Sequence, residues 1–218
     1  IMIINHKHKY IFIHIPKAAG TSITQALYPF SGSYDLFLGC GCGEESLTKE
    51  DGFKLHKHSP AQDVKIYATP ERWNEYFVFT FVRHPIDRTI SLYEWWQQTN
   101  GNWDRESKEK ICKMTFKEFV FSKYVGKPQI DFLTSRGKDK KHFIEEQNFL
   151  EIDYIGKYNT IHKDFAYICG LLGLPQINLP HVNKSDYRNA NVESYLDNEI
   201  IAEIERKFIK DYRAFPFF

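Results

Sequence analysis

Long apolar runs are missing from this sequence. No stretch reaches eighteen consecutive apolar residues, so nothing in it reads as a transmembrane helix. The opening IMIINHKHKY lacks the extended apolar core of a signal peptide, and the expectation is a soluble chain without a visible address. An excess of either charge is missing too. Lys and Arg number 29 against 28 Asp and Glu, which leaves no global field to draw the chain to nucleic acid or to an anionic membrane. Any recognition of an anion must therefore be local. Cysteine is scarce: Cys40, Cys42, Cys112 and Cys169 form no CxxC pair, and a chain of 218 residues, 42% of them hydrophobic, buries a core without covalent staples. Free thiols in a reducing compartment are expected, because CGCG has no second pair to complete a structural metal site. With no internal repeat and no low-complexity tract, residues 1–218 read as one domain.

Two stretches carry chemistry. The first is IFIHIPKAAGTS, Ile11 to Ser22, where Ile11, Ile13 and Ile15 alternate with Phe12 and His14 as on a β-strand. After Pro16 the residues turn small and hydroxylated, and TSITQAL sets Ile23 and Leu27 on one helical face. A strand feeding a helix through such a turn aims backbone N–H groups and the positive end of the helix dipole at one point, which suits a phosphate or sulfate. The second is YFVFTFVRHPIDRTISLYEWW, Tyr76 to Trp96. Phe77 to Val82 is a strand buried on both faces, Arg83 follows it, Pro85 opens a helix with Asp87 in its first turn, and Arg88 and Ser91 share a helix face.

What the two stretches lack is informative in turn. The nucleoside triphosphatase pattern GxxxxGK[ST] opens on glycine, whereas Lys17 precedes Gly20, the only glycine of the turn. Such enzymes end the second buried strand in an aspartate that holds Mg²⁺; here that position is Arg83, which points to direct contact with a phosphate or sulfate. Short strands alternating with helices argue for an α/β fold with a mainly parallel central sheet flanked by helices. Further along, Gln97 to Lys110 reads as an exposed loop, Thr115 to Glu118 as a capping box, Thr160 as the cap of a helix stopped by Gly173, and Asp197 to Tyr212 as one amphipathic helix.

HIPKAAGTS resembles the 5′-phosphosulfate loop, and FVRHPIDRTISLY the 3′-phosphate element, of sulfotransferases that use 3′-phosphoadenosine 5′-phosphosulfate (PAPS). The carbohydrate and glycosaminoglycan branch, including heparan sulfate 2-O-sulfotransferases, is the most similar. The likeness runs on through DYIGKYNTIHKDF and LPHVNKS to the C-terminal helix, and departs from the pattern at Ala18 and Ala19, both small enough to let the backbone approach a sulfate. It implies a P-loop NTPase-like sulfotransferase fold that moves a sulfuryl group from PAPS to an acceptor hydroxyl on a saccharide, with 3′,5′-adenosine bisphosphate (PAP) as product and no metal. It further implies that Lys17 balances charge on the departing phosphate while Ala18, Ala19, Gly20, Thr21 and Ser22 cradle the 5′-phosphosulfate. The 3′-phosphate falls to Arg83 and Ser91, with Arg88 beside them on the donor side. As loop charges, Lys184 and Arg188 fit closure over the donor and plain solvation equally well. A bacterial chain of this kind would work in the cytoplasm; a eukaryotic one freed of its anchor would work in the Golgi lumen.

Transfer to a hydroxyl needs a base. His56 and His58 in LHKHSPA are two apart and face the same way on an extended segment; the residues alone fit a base, a solvated pair, or two ligands of a metal lacking a third. The resemblance favours His58, with His56 beside it. His6 and His8 repeat the spacing at what reads as a frayed start. For the acceptor, Trp95, Trp96 and Trp103 offer stacking faces and SRGKDKK a basic run, but core packing and a solvated face account for them equally well. Two rivals stay open: a Mg-ATP-dependent kinase-like phosphoryl transferase, and a non-catalytic nucleotide-binding protein.

Overall fold

A computed structural model of the chain describes residues 2–39, 46–48, 53–98, 104–134, 152–180 and 196–215. The chain divides into two compact units, Ile1–Val82 with Gln129–Val182, and Arg83–Pro128 with Asn183–Phe218.

With elements numbered along the chain, the first unit holds strands β1 (Met2–Asn5), β2 (Tyr10–Ile13), β3 (Leu36–Leu38), β4 (Ser46–Thr48), β5 (Lys54–His56), β6 (Phe77–Val82) and β7 (Tyr154–Lys157). It also holds helices α1 (Gly20–Leu27), α2 (Ala61–Ala68), α3 (Pro70–Glu75) and α7 (Ile161–Leu171). The central sheet runs β3-β1-β2-β6-β7, while β4 and β5 pair separately. β2, β6 and β7 are mutually parallel and β1 is antiparallel to both β2 and β3, so four strands share one direction and β1 alone runs against them. The fold is thus the expected α/β arrangement around a mixed sheet. Every residue of β1 and β2 is buried, as is β6 from Val78 on, because helices cover both faces. Removing an Ile or Phe side chain from water contributes about 1.5–3 kcal/mol, and the aromatic stack Phe12–Phe79 links the two central strands.

Residues 2–5 are not frayed. β1 lies inside the sheet, and the Asp35 carboxylate pins its exit by accepting from the Asn5 amide side chain at 2.5 Å and from the backbone N–H groups of His6 and Gly32 at 2.6 Å. His6 Nδ1 meets the Tyr76 hydroxyl at 2.8 Å and the His8 amide donates to Asn5 Oδ1, so the first His-x-His pair serves the β1–β2 turn. In α7, Thr160 stands at the N-cap, but its hydroxyl donates to the Asp164 carboxylate at 2.9 Å instead of accepting from the first turn. Gly173, at φ 65°, ends the turn beyond the helix.

The second unit is helical among its described residues: α4 (Pro85–Gln98), α5 (Arg105–Ile111), α6 (Phe116–Phe121), α8 (Asn198–Lys207) and α9 (Ile209–Ala214). Ile90, Trp96, Ile111, Phe116, Phe119, Ile204 and Phe208 form its core. The segment read as a loop contains α5 from Arg105 on. Asp104 accepts from the Ser107 amide at 3.1 Å, Arg105 pairs with Glu109 and Glu106 with Lys110 one turn on, and Ile111 anchors the end in the core. The Thr115–Glu118 capping box is present in full.

The C-terminal stripe is two helices, not one. Apolar residues at a strict spacing of four drift about 40° per step around a straight helix, and a break at Phe208 (φ −109°, ψ 22°) keeps Ile200, Ile204, Phe208 and Asp211 all buried. Just before the break, the Lys207 amine donates to the Val120 and Ser122 carbonyls at 2.7 Å, placing a cation at the C-terminus of α6. Trp96 is a core residue, and the half-buried Trp95 packs edge-on against it. Trp103, the SRGKDKK run, Cys40 and Cys42 lie outside the described residues; Cys112 is a free exposed thiol and Cys169 a free buried one. Among the described residues no helix is long and apolar enough to cross a membrane.

Candidate active site

In the first unit, β2 ends at Ile13 and α1 begins at Gly20. Between them the backbone is strained: Lys17 (φ 67°) and Ala19 (φ 65°) are both left-handed, a conformation costing an L-residue on the order of 1 kcal/mol or more. Ala19 is the N-cap of α1 and has no side chain to accept from the first turn, which also carries no acidic residue. The start of α1 therefore keeps its positive partial charge; Lys17 and Ala18 come just before it in the chain, and Thr21 and Ser22 stand in its first turn. This is an arrangement an anion fits.

Gly20 is required for space. A Cβ added there would fall 1.9 Å from the His14 ring, so the imidazole lies directly on the start of the helix. His14 is 7% exposed and its ring stands 4.5 Å from that of His58. His58 Nδ1 lies 3.3 Å from the His14 carbonyl oxygen. The structure thus brings the favoured base against the β2–α1 junction, and the intermediary, His14, was not singled out from the sequence. Its signal was available: it is the polar residue in an otherwise apolar strand, just before the Pro-Lys turn.

His56 and His58 do not lie on one extended segment. The segment is a tight turn, closed by the Ser59 amide donating to the His56 carbonyl at 2.9 Å and the His56 amide donating to Ser59 Oγ at 3.0 Å. His56 is exposed, and its Nδ1 accepts from the His58 backbone amide at 3.1 Å, so it shapes the turn; His58 is half-buried. Gly39, left-handed at φ 79°, admits Lys57 so closely that a Cβ would sit 2.6 Å from it, which locks the turn onto the end of β3. Burial pushes the His58 imidazole down to about 3 and holds His14 well below the usual histidine range, with His58, Lys57 and Lys17 adding to the effect on His14. Both rings are neutral at neutral pH.

Strand β6, the parallel neighbour of β2, hands the chain at Val82 to the second unit. Arg83, Arg88 and Ser91 are all buried there, at 4%, 3% and 3% exposure. Arg88 donates to the Lys127 carbonyl at 3.1 Å and lies over the Phe208 ring at 5.7 Å. Burial drives its pKa down to about 10, Asp211 opposes that shift, and Arg83 adds to it. The guanidinium pair raises the local positive potential, and a phosphate would relieve it. Lys184 and Arg188 lie outside the described residues. Among the described residues no three His, Cys, Asp or Glu side chains gather as a metal centre requires.

Residues 2–218 match the Sulfotransferase family, and the chain belongs to it. Carbohydrate sulfotransferase 10 of Xenopus laevis is 24% identical over 99% of this chain and 66% of its own length. Carbohydrate sulfotransferase 14 of Danio rerio is 21% identical over 99% and 62%, and carbohydrate sulfotransferase 11 of Rattus norvegicus 21% identical over 97% and 64%. The chain thus spans just under two thirds of the length of these curated relatives. No solved structure matches it.

Proposed function

We propose that this chain transfers a sulfuryl group from PAPS to a hydroxyl of a carbohydrate acceptor, the acceptor class being that in its relatives' names. Residues 1–218 are read as one sulfotransferase domain, since a single family match runs through both units. The observation that carries the reading is the position of His58 against His14, at the junction into a helix start that has no side-chain cap and no acidic residue in its first turn.

PAPS, when bound, supplies the sulfuryl group and a phosphate leaving group. The N–H groups of Ala19 to Ser22 and the hydroxyls of Thr21 and Ser22 hold its 5′-phosphosulfate, with Ala18 and Gly20 leaving room for it. Arg83, Arg88 and Ser91 hold the 3′-phosphate by direct contact, and Lys184 adds a positive charge toward the donor. His58 takes the acceptor hydroxyl proton as the new oxygen–sulfur bond forms, and Lys17 balances the charge left on the phosphate oxygen as the old bond breaks. The role first shared by His56 narrows to shaping the turn. A neutral imidazole accepts the proton, and the negative charge of a donor nearby raises its basicity from the depressed value.

Calorimetric titration tests this. PAP is expected to bind without Mg²⁺, and Mg-ATP not to bind. With labelled PAPS and a panel of oligosaccharides, His58→Ala is expected to keep PAP affinity and lose roughly 10²–10⁴ in transfer. Binding of Mg-ATP alone would make the chain a phosphoryl transferase. PAP binding with transfer indifferent to His58→Ala would remove the base.

A further inference from the structure

Resting on that reading, we propose that His14 is a positioning residue that couples the base to the donor loop. One side of its imidazole is closed by Gly20, where even a methyl group would collide with the ring. Another is taken by His58, with ring centroids 4.5 Å apart, and Phe12 stacks on His14 at 6.1 Å and 27°. The His14 ring is therefore a spacer between the first residue of α1 and the base, and its own place is fixed from the β2 side. The same residue also sets the tautomer. A carbonyl oxygen only accepts, so the 3.3 Å contact requires His58 Nδ1 to carry the proton, which leaves Nε2 with the lone pair that takes the acceptor proton. Backbone sets which nitrogen is basic, and the ring sets where that nitrogen stands.

Besides burial, the groups that bear on the His58 proton are the charged amino terminus, Lys57 and His56 on its own turn, and from the β2–α1 junction His14, through its carbonyl and its ring. Removal of the His14 ring lets water reach His58, so its depressed pKa moves back toward 6.5. A displacement of the base by about 1 Å is enough to lower the rate by about 100-fold.

The experiment compares His14→Ala with His14→Phe, each checked for folding by thermal melting. Steady-state kinetics with PAPS and oligosaccharide are paired with ¹⁵N NMR of the imidazoles in the full chain. His14→Ala is expected to lower kcat by about 10- to 100-fold with the acceptor KM nearly unchanged, and to move the acid limb of the kcat/KM profile upward with the NMR titration of His58. His14→Phe, which keeps a flat ring in place, is expected to retain kcat within about threefold. NMR is expected to find Nδ1–H at His58 in wild type and in both variants. The inference is overturned by wild-type kcat and an unmoved limb in His14→Ala, by a Phe variant as impaired as the Ala variant, or by Nε2–H at His58. If His14→Ala does not fold, the Phe variant and the wild-type tautomer still decide it. Failure of the base assignment shows separately, as unchanged transfer in His58→Ala, while the NMR arms continue to report on the His14–His58 contact.

Discussion

The two strand-to-helix junctions, β2 into α1 and β6 into α4, start from neighbouring parallel strands and are finished in opposite ways. At the first, two left-handed residues deliver an α1 start with no side-chain cap and no acidic residue, so backbone amides are its main polar groups. At the second, Pro85 removes one donor, His84 Nδ1 accepts the Ile86 amide at 3.3 Å, and the His84 carbonyl accepts from Arg88 at 2.9 Å. What the second junction adds is buried side-chain charge, in Arg83 and Arg88. A site built from backbone is governed by shape and tolerates no added bulk; a site built from buried guanidinium groups is governed by charge.

That contrast is sharpest under paired substitutions. Arg83→Ala is expected to weaken PAP binding by about 100-fold, the scale of a lost buried charge contact. Lys17→Ala is expected to leave PAP affinity within about threefold while transfer falls by about 100-fold, because its charge matters most when the phosphate departs. Calorimetry beside turnover separates the two, and equal losses of affinity would erase the distinction.

Acid gives the next largest effect. The folded pKa of His58 and of His14 lies below the unfolded value near 6.5, so between the two the unfolded chain binds more protons. Stability is then complete above about pH 6.5 and declines as pH falls, for His58 down to about 3, with His14 contributing in the same direction. At the second junction burial also lowers the His84 pKa, but Asp87 and Glu205 oppose it. Amide exchange at α1 is therefore expected to accelerate at a higher pH than at α4. Simultaneous loss at both helices would show that the histidine pair does not set acid sensitivity.

The smallest effect concerns strain. Ala19→Gly relieves a left-handed φ of 65°, and thermal melting is expected to show a rise of about 2–4 °C, the scale of about 1 kcal/mol in a chain of this size. A fall would mean that the backbone entropy of glycine outweighs the strain.

Both junctions were legible in the sequence because each places its decisive residues within about a dozen positions, where the change from strand to helical spacing is visible. The Thr115–Glu118 capping box was legible for the same reason. β1 was not: four residues are too few for a pattern, and its burial comes from partners β2 and β3. The helix from Arg105 hid in a polar stretch because its support is a cap and two surface ion pairs. Phe208 ends α8 with no glycine or proline to announce it. The His56–His58 segment is a turn closed by Ser59 where the spacing of two suggested an extended segment, and the contact between His58 and His14 joins residues 44 positions apart.

The lone counter-running strand also bears on how the molecule assembles. Through β1, strand β2 has a partner across a four-residue turn, with Phe12 opposite Ile3, whereas its other pairing sets Phe12 opposite Phe79. Closing the longer loop costs roughly 2 kcal/mol more chain entropy. The strand leading to Lys17 can therefore be secured as a local hairpin before the strand leading to Arg83 is docked, so the shape-governed junction has the shorter route to its native register.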